Sequence, residues 1–207
     1  MLSRSLSACE SSSSPLLDLT QDPCEVAPQL LGAVIRTDVA IRITEVEAYR
    51  GELDPGSHAF RGKTKRNASM FGPPGHLYVY YIYGMHWSAN IVCWPEDRAG
   101  GVLLRAGEVI ENHELARSRR VAAKTDRDLA RGPARLAQAL GIDGSYNGTP
   151  VSQDGSGSFV LEPTSIPAPW TNGPRVGVSG PGGTDDYPWR YWIPGDRNVS
   201  AYRPGKF

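Results

Sequence analysis

The segment Glu45-Val46-Glu47-Ala48-Tyr49 places two carboxylates and a phenol within five residues, and an imidazole, His58, follows nine residues after Tyr49. A second segment, Leu77-Tyr78-Val79-Tyr80-Tyr81-Ile82-Tyr83-Gly84-Met85, supplies several flat aromatic faces. A positioned carboxylate activates water as a general base. An aromatic face holds a base by stacking worth roughly 1–3 kcal/mol. Together these residue types suggest hydrolysis of a bond to a nucleobase.

Strands must position these groups. Leu30 to Arg36 and Val39 to Tyr49 are rich in β-branched residues and flank Thr37-Asp38, which reads as a hairpin. Strict alternation then sets Glu45 and Glu47 on the same face as the apolar Ile41 and Ile43, an unusual place for carboxylates. Such a group is either paired structurally or functional. A second hairpin is expected from His76 to Tyr83 and Trp87 to Trp94, closing at Gly84-Met85. On its first strand Tyr78, Tyr80 and Ile82 face one way, and Val79, Tyr81 and Tyr83 the other. Tyr83 sits beside the turn, where an aromatic has the right shape for a wedge between base pairs.

Elsewhere, Val102 to Ala106 reads as a short strand with Arg105 near its end, and Asn90 lies in an apolar strand where its amide must find partners. Helical patterns cover Gly107 to Arg120 and Pro133 to Leu140, the second opened by proline and closed by Gly141. Residues 51–75 are loop-like and basic, and residues 144–174 read as a long Gly/Ser/Pro-rich connection. Arg175 to Val178 and Trp189 to Ile193 read as the closing strands. The mixture of strands and helices is an α+β class, in a single domain over 15–207 preceded by a polar, serine-rich tail (1–14) expected to be mobile.

Composition excludes several alternatives. Cys9, Cys24 and Cys93 form no CxxC pair, and the four histidines show no metal-ligand spacing, so no metal or other cofactor is expected. The zinc-deaminase signature is missing. No apolar run approaches the length of a membrane span, and the N-terminus lacks a signal-peptide core, so an intracellular, reducing setting is the expectation. Net charge is zero, so any attraction to nucleic acid must come from a local face. Arg61, Lys63, Lys65 and Arg66 are candidates for it, as are Arg117, Arg119 and Arg120.

Several ordered blocks match one known pattern: Glu45-Val46-Glu47-Ala48-Tyr49; His58; Arg66-Asn67 with Met70-Phe71; Pro74 to Met85; Asn90; Val102 to Ala106; Gly132-Pro133; and Arg175 to Val178. From about Leu30 onward the chain resembles the alkyladenine type of 3-methyladenine DNA glycosylase. The resemblance implies a curved antiparallel sheet with surrounding helices and a protruding hairpin that inserts into DNA. It implies Glu47 as the general base, with Arg105 and the Val176 carbonyl holding the attacking water. Tyr49 and His58 would stack on one face of the flipped base and Tyr80 on the other, with Asn90 crowding the exocyclic amine of guanine. Tyr83 and Met85 would intercalate, while Arg61, Lys63, Lys65 and Arg66 would meet the DNA backbone. The implied partner is double-stranded DNA carrying damaged purines, handled by a monomer with no membrane association. Two other readings stay open: a binding module of the same fold without catalysis, and a glycoside hydrolase using Glu45 and Glu47 as its carboxylates.

Overall fold

The computed structural model describes residues 16–82 and 84–206; the serine-rich tail and Tyr83 lie outside them. The chain opens with helix α1 (Pro23–Gln29), where Asp22 caps the helix by accepting the Cys24 N–H at 2.9 Å and Pro23 occupies the first turn. This helix was not among the sequence expectations. Strands β1 (Val34–Arg36) and β2 (Ala40–Tyr49) form the expected hairpin. The second hairpin, β3 (Leu77–Ile82) with β4 (His86–Val92), also forms where the pattern put it.

Strand β5 runs from Gly101 to Glu111, so the helical pattern expected from Gly107 fails over its first five residues. The reason is pairing: Ala40 to Ile43 of β2 draw Gly107, Glu108, Val109 and Glu111 into the sheet. Helix α2 (His113–Arg119) starts only after Asn112, whose left-handed backbone (φ 56°) ends the strand. Helix α3 (Pro133–Leu140) matches its sequence punctuation, with Gly141 at φ 74° closing it. Short strands β6 (Val160–Glu162), β7 (Thr171–Gly173) and β8 (Arg190–Trp192) complete the sheet. Arg175 to Val178 is therefore not a closing strand; Gly177 at φ 71° breaks extended geometry, and Thr171–Gly173 pairs with β8 instead.

The fold is mixed α+β, with one curled antiparallel sheet in the order β3-β4-β5-β2-β1-β6, while β8 pairs with both β2 and β7. Among the described residues no helix is long and apolar enough to cross a membrane. Helices α1 and α3 bury Val26, Ala27, Leu136, Ala137, Ala139 and Leu140 against one face of the sheet.

A register break decides where the carboxylates point. Between Ile43 and Glu45 strand β2 carries an extra residue, Thr44, and one step on β5 carries its own, Arg105. A bulge of this kind re-aims the side chains that follow it. Ile41 and Ile43 before the break, and Val46 and Ala48 after it, all join one hydrophobic core. Glu45 and Glu47 consequently face away from Ile41 and Ile43, contrary to strict alternation. Gly107 lies beside this break, and a Cβ there would stand 2.4 Å from Ile41 Cγ2 and 2.6 Å from the Arg42 carbonyl oxygen. Gly107→Ala should thus cost about 1–3 kcal/mol through overpacking. Urea unfolding measures it, and an unchanged midpoint would contradict the close approach.

Candidate active site

The back of the site is β2. Glu45 is fully buried. Its Oε1 accepts from Arg105 Nε (2.9 Å), Arg190 Nε (2.7 Å) and Ser200 Oγ (3.0 Å), and its Oε2 from the Ser200 N–H (2.7 Å). Both oxygens are occupied, so Glu45 is a strut. Glu47 is equally buried but lines an open cleft of about 510 Å³. Its Oε1 accepts the Val176 N–H at 2.8 Å and lies 3.4 Å from an Arg105 guanidinium nitrogen; its Oε2 accepts the Tyr49 hydroxyl at 3.0 Å. Burial and then the Glu47 charge push the Tyr49 phenol up, which keeps it a proton donor to that carboxylate. Burial depresses Arg105, but the Glu47 and Glu45 charges outweigh it, so its guanidinium stays charged. A glycoside hydrolase with Glu45 as the second catalytic carboxylate loses its support here, because Glu45 is outside the cleft lining and fully hydrogen-bonded.

The opposite wall comes from β3, β4 and the loop after β2. Tyr78, Tyr80 and Ile82 line the cleft, while Val79 joins the core and Tyr81 packs outside on Trp87 (4.7 Å). His58 meets Tyr80 edge-on at 4.6 Å, so a base entering between these two rings must part them. Its Nδ1 lies 3.2 Å from the Tyr78 hydroxyl, and Tyr78 stacks on Tyr80 at 5.3 Å. Tyr78 therefore braces both rings. Burial pushes its phenol up to about 12. Burial and then the Arg66 charge hold the His58 imidazole below its ordinary range, leaving it neutral at pH 7. Asn67 pins the His58 loop by donating to the carbonyls of His58 and Gly62, each at 3.0 Å. Asn90 is buried and donates to the Tyr78 carbonyl across the strand pair at 3.1 Å. Glu47, Tyr49, His58, Tyr80, Asn90, Arg105 and Val176 thus all line one cleft.

Residues 18–197 match the family model described as methylpurine-DNA glycosylase. The chain belongs to the methylpurine-DNA glycosylase family. It is 55% identical over 186 residues to a protein of Streptomyces avermitilis, with 86% of each chain covered. It is 53% identical over 189 residues to one of Leifsonia xyli subsp. xyli (86% of this chain, 87% of that one). Against a Corynebacterium jeikeium protein the identity is 49% over 197 residues, covering 90% and 91%. All three are provisionally named 3-methyladenine DNA glycosylase.

Other residues expected of this family fall around the cleft. Met85 is 64% exposed at the β3–β4 turn and lines a separate groove beside α3. Arg61, Lys63, Lys65 and Arg66 are all exposed on the loop after His58. Lys63 lies over the Phe71 ring (5.6 Å), and Arg66 donates to the Tyr81 carbonyl at 3.4 Å. The second basic cluster is engaged internally: Arg117 with Asp126, Arg119 with Asp38, and Arg120 with the Leu129 carbonyl and Gln138.

Nothing in the sequence pairs Asp54 with Arg175, yet this pair joins three walls of the cleft. Both residues are fully buried, and the guanidinium binds both Asp54 oxygens (2.5 and 2.6 Å). It also donates to the carbonyls of Ala48 (3.0 Å) and Gly182 (2.7 Å) and lies 4.5 Å from the centroid of the Tyr49 ring. Asp54-Pro55-Gly56 resembles any loop turn, and the partner is 121 residues away, so the only sequence signal was an arginine inside a β-like run. Asp54→Asn leaves Arg175 buried without a counter-charge and should destabilise the fold by about 3–5 kcal/mol. Chemical denaturation reads this directly; a loss below 1 kcal/mol would show that the pair does not hold the walls.

Proposed function

We propose that the chain is a base-excision DNA glycosylase that hydrolyses the N-glycosidic bond of damaged purines, 3-methyladenine foremost, and leaves an intact abasic site. The observation that carries this reading is Glu47, a carboxylate at the back of an aromatic-lined cleft and held by three donors on fixed elements. In this reading a water on Glu47 attacks C1′ of the deoxyribose, its proton passes to the carboxylate, and the C1′–N bond breaks with its electron pair leaving on the base. A carboxylate there also stabilises the oxocarbenium-like transition state electrostatically. Arg105, fixed through Glu45, orients the carboxylate, and the Val176 carbonyl helps hold the water.

The substrate class follows from leaving-group chemistry. Alkylation at N3 or N7 makes the purine cationic, so it departs neutral without an acid. The same charge draws it to the faces of Tyr49 and Tyr80. Neutral lesions such as hypoxanthine or ethenoadenine belong to the same proposed range but need protonation as they leave. Damaged pairs are also cheaper to open, which adds selectivity. Among the described residues no lysine lines the cleft, in keeping with hydrolysis by water alone. Asn90 would crowd the exocyclic amine of guanine. The β3–β4 turn, with the exposed Met85, would fill the gap left by the flipped nucleotide, and Tyr83, close to it in sequence, would insert as the wedge.

The test is strand incision by alkali after incubation with duplexes that each carry one damaged purine. Alkali-labile sites at 3-methyladenine or 7-methylguanine are expected, with none at undamaged purines. Absence of alkali-labile sites across the panel would refute the reading. For the hairpin, Tyr83→Ala should weaken binding to lesion duplexes at least tenfold more than to single strands with the same lesion. Equal losses on both would remove the wedge role.

A further inference from the structure

Residues 198–206 follow the stretch that the family model matches, so the family match assigns them nothing. They are nonetheless tied into the site. Ser200 donates twice to Glu45, through its N–H and its hydroxyl, and its carbonyl accepts from Arg190 at 3.0 Å. The Val199 carbonyl accepts from Arg131 Nε at 2.7 Å. The Arg203 carbonyl accepts the Gly177 N–H at 2.9 Å, and Gly205 lies so close to the Val178 carbonyl that a Cβ would overlap it. The segment therefore runs along the loop that carries Val176, with its backbone fixed at several points.

This fixed backbone presents one side chain to the cleft. Arg203 is exposed and lines the cleft, and its guanidinium has no hydrogen bond, ion pair or ring contact among the described residues. The other arginine of the lining, Arg105, is already matched to Glu45 and Glu47. Among the described residues Glu47 is the only carboxylate in the lining. Arg203 is thus an unmatched cation held where the cleft opens to solvent. A nucleotide with its C1′ at Glu47 must carry its two phosphodiesters out through that opening. An arginine offers a phosphate a planar pair of N–H donors, the geometry best suited to that anion.

The geometry points to Arg203 as a phosphate-binding residue that grips a phosphodiester flanking the nucleotide seated in the cleft. This rests on the reading of the cleft as a base-excision site. Arg203 positions the strand and takes no part in the bond-breaking step. Because its side chain is exposed and unpartnered, its replacement leaves the fold intact.

The experiment is equilibrium binding to a duplex with a stable abasic-site analogue, measured for wild type, Arg203→Ala and Arg203→Lys across a salt series. Loss of one phosphate contact should lower the slope of log affinity against log salt by about 0.9. It should weaken binding about tenfold at low salt. Arg203→Lys should keep the slope. A neutral methylphosphonate is then placed at the linkage on either side of the abasic analogue. At the linkage Arg203 grips, the substitution should weaken wild type but not Arg203→Ala, since the two changes remove one contact. An unchanged slope in Arg203→Ala, or additive losses at both linkages, would overturn the assignment. Wild-type protein that does not prefer the abasic duplex to an undamaged one would instead overturn the glycosylase reading, and this assignment with it.

Discussion

Two carboxylates stand two residues apart on a strand without solvent contact, and the chain around them is arranged to give both of them partners. A buried charge left unpaired costs several kcal/mol, so the fold requires donors for each. Glu45 receives Arg105, Arg190 and both donors of Ser200, from three different stretches of the chain. Glu47 receives Val176, Tyr49 and Arg105. Together these pairings hold β5, β8, the C-terminal segment and the Val176 loop against β2. The difference between the glutamates is access, because only Glu47 faces the cleft.

The paired bulges make that difference. Without the extra residues at Thr44 and Arg105, both carboxylates would point into the apolar face with Ile41 and Ile43. With them, the same strand supplies core residues on both sides of the break and turns Glu47 and Tyr49 toward the cleft. The Asp54–Arg175 pair then fixes the cleft's width by tying the loop that carries His58 to the loop that carries Val176, beneath Tyr49. The aromatic wall has its own brace in Tyr78, which touches both His58 and Tyr80.

Much of this was legible in the sequence. Both hairpins, helix α3 and the division of Tyr78 and Tyr80 from Tyr81 follow from local pattern, because turn residues and strand alternation are short-range signals. The residues that the blocks nominated for the cleft do line it. Three things were not legible. The bulges are set by pairing between β2 and β5, which local alternation does not contain. The extension of β5 through Glu111 was hidden because Val109-Ile110 is only a short β-branched pair between glutamates, and its pairing with Ala40 to Ile43 orders it. Asp54 and Arg175, like Ser200 and Glu45, are far apart in sequence, and only the closed fold shows that they meet.

In the proposed reading the Glu47 carboxylate performs the chemistry while the surrounding cleft binds the DNA independently of it. Glu47→Gln preserves the size of the side chain and removes its ability to take a proton. Single-turnover excision of 3-methyladenine by this variant, measured beside its affinity for abasic-site DNA, separates the two roles. Excision should fall at least about a hundredfold while abasic-site binding stays within a few-fold of wild type. Excision at the wild-type rate would contradict that reading.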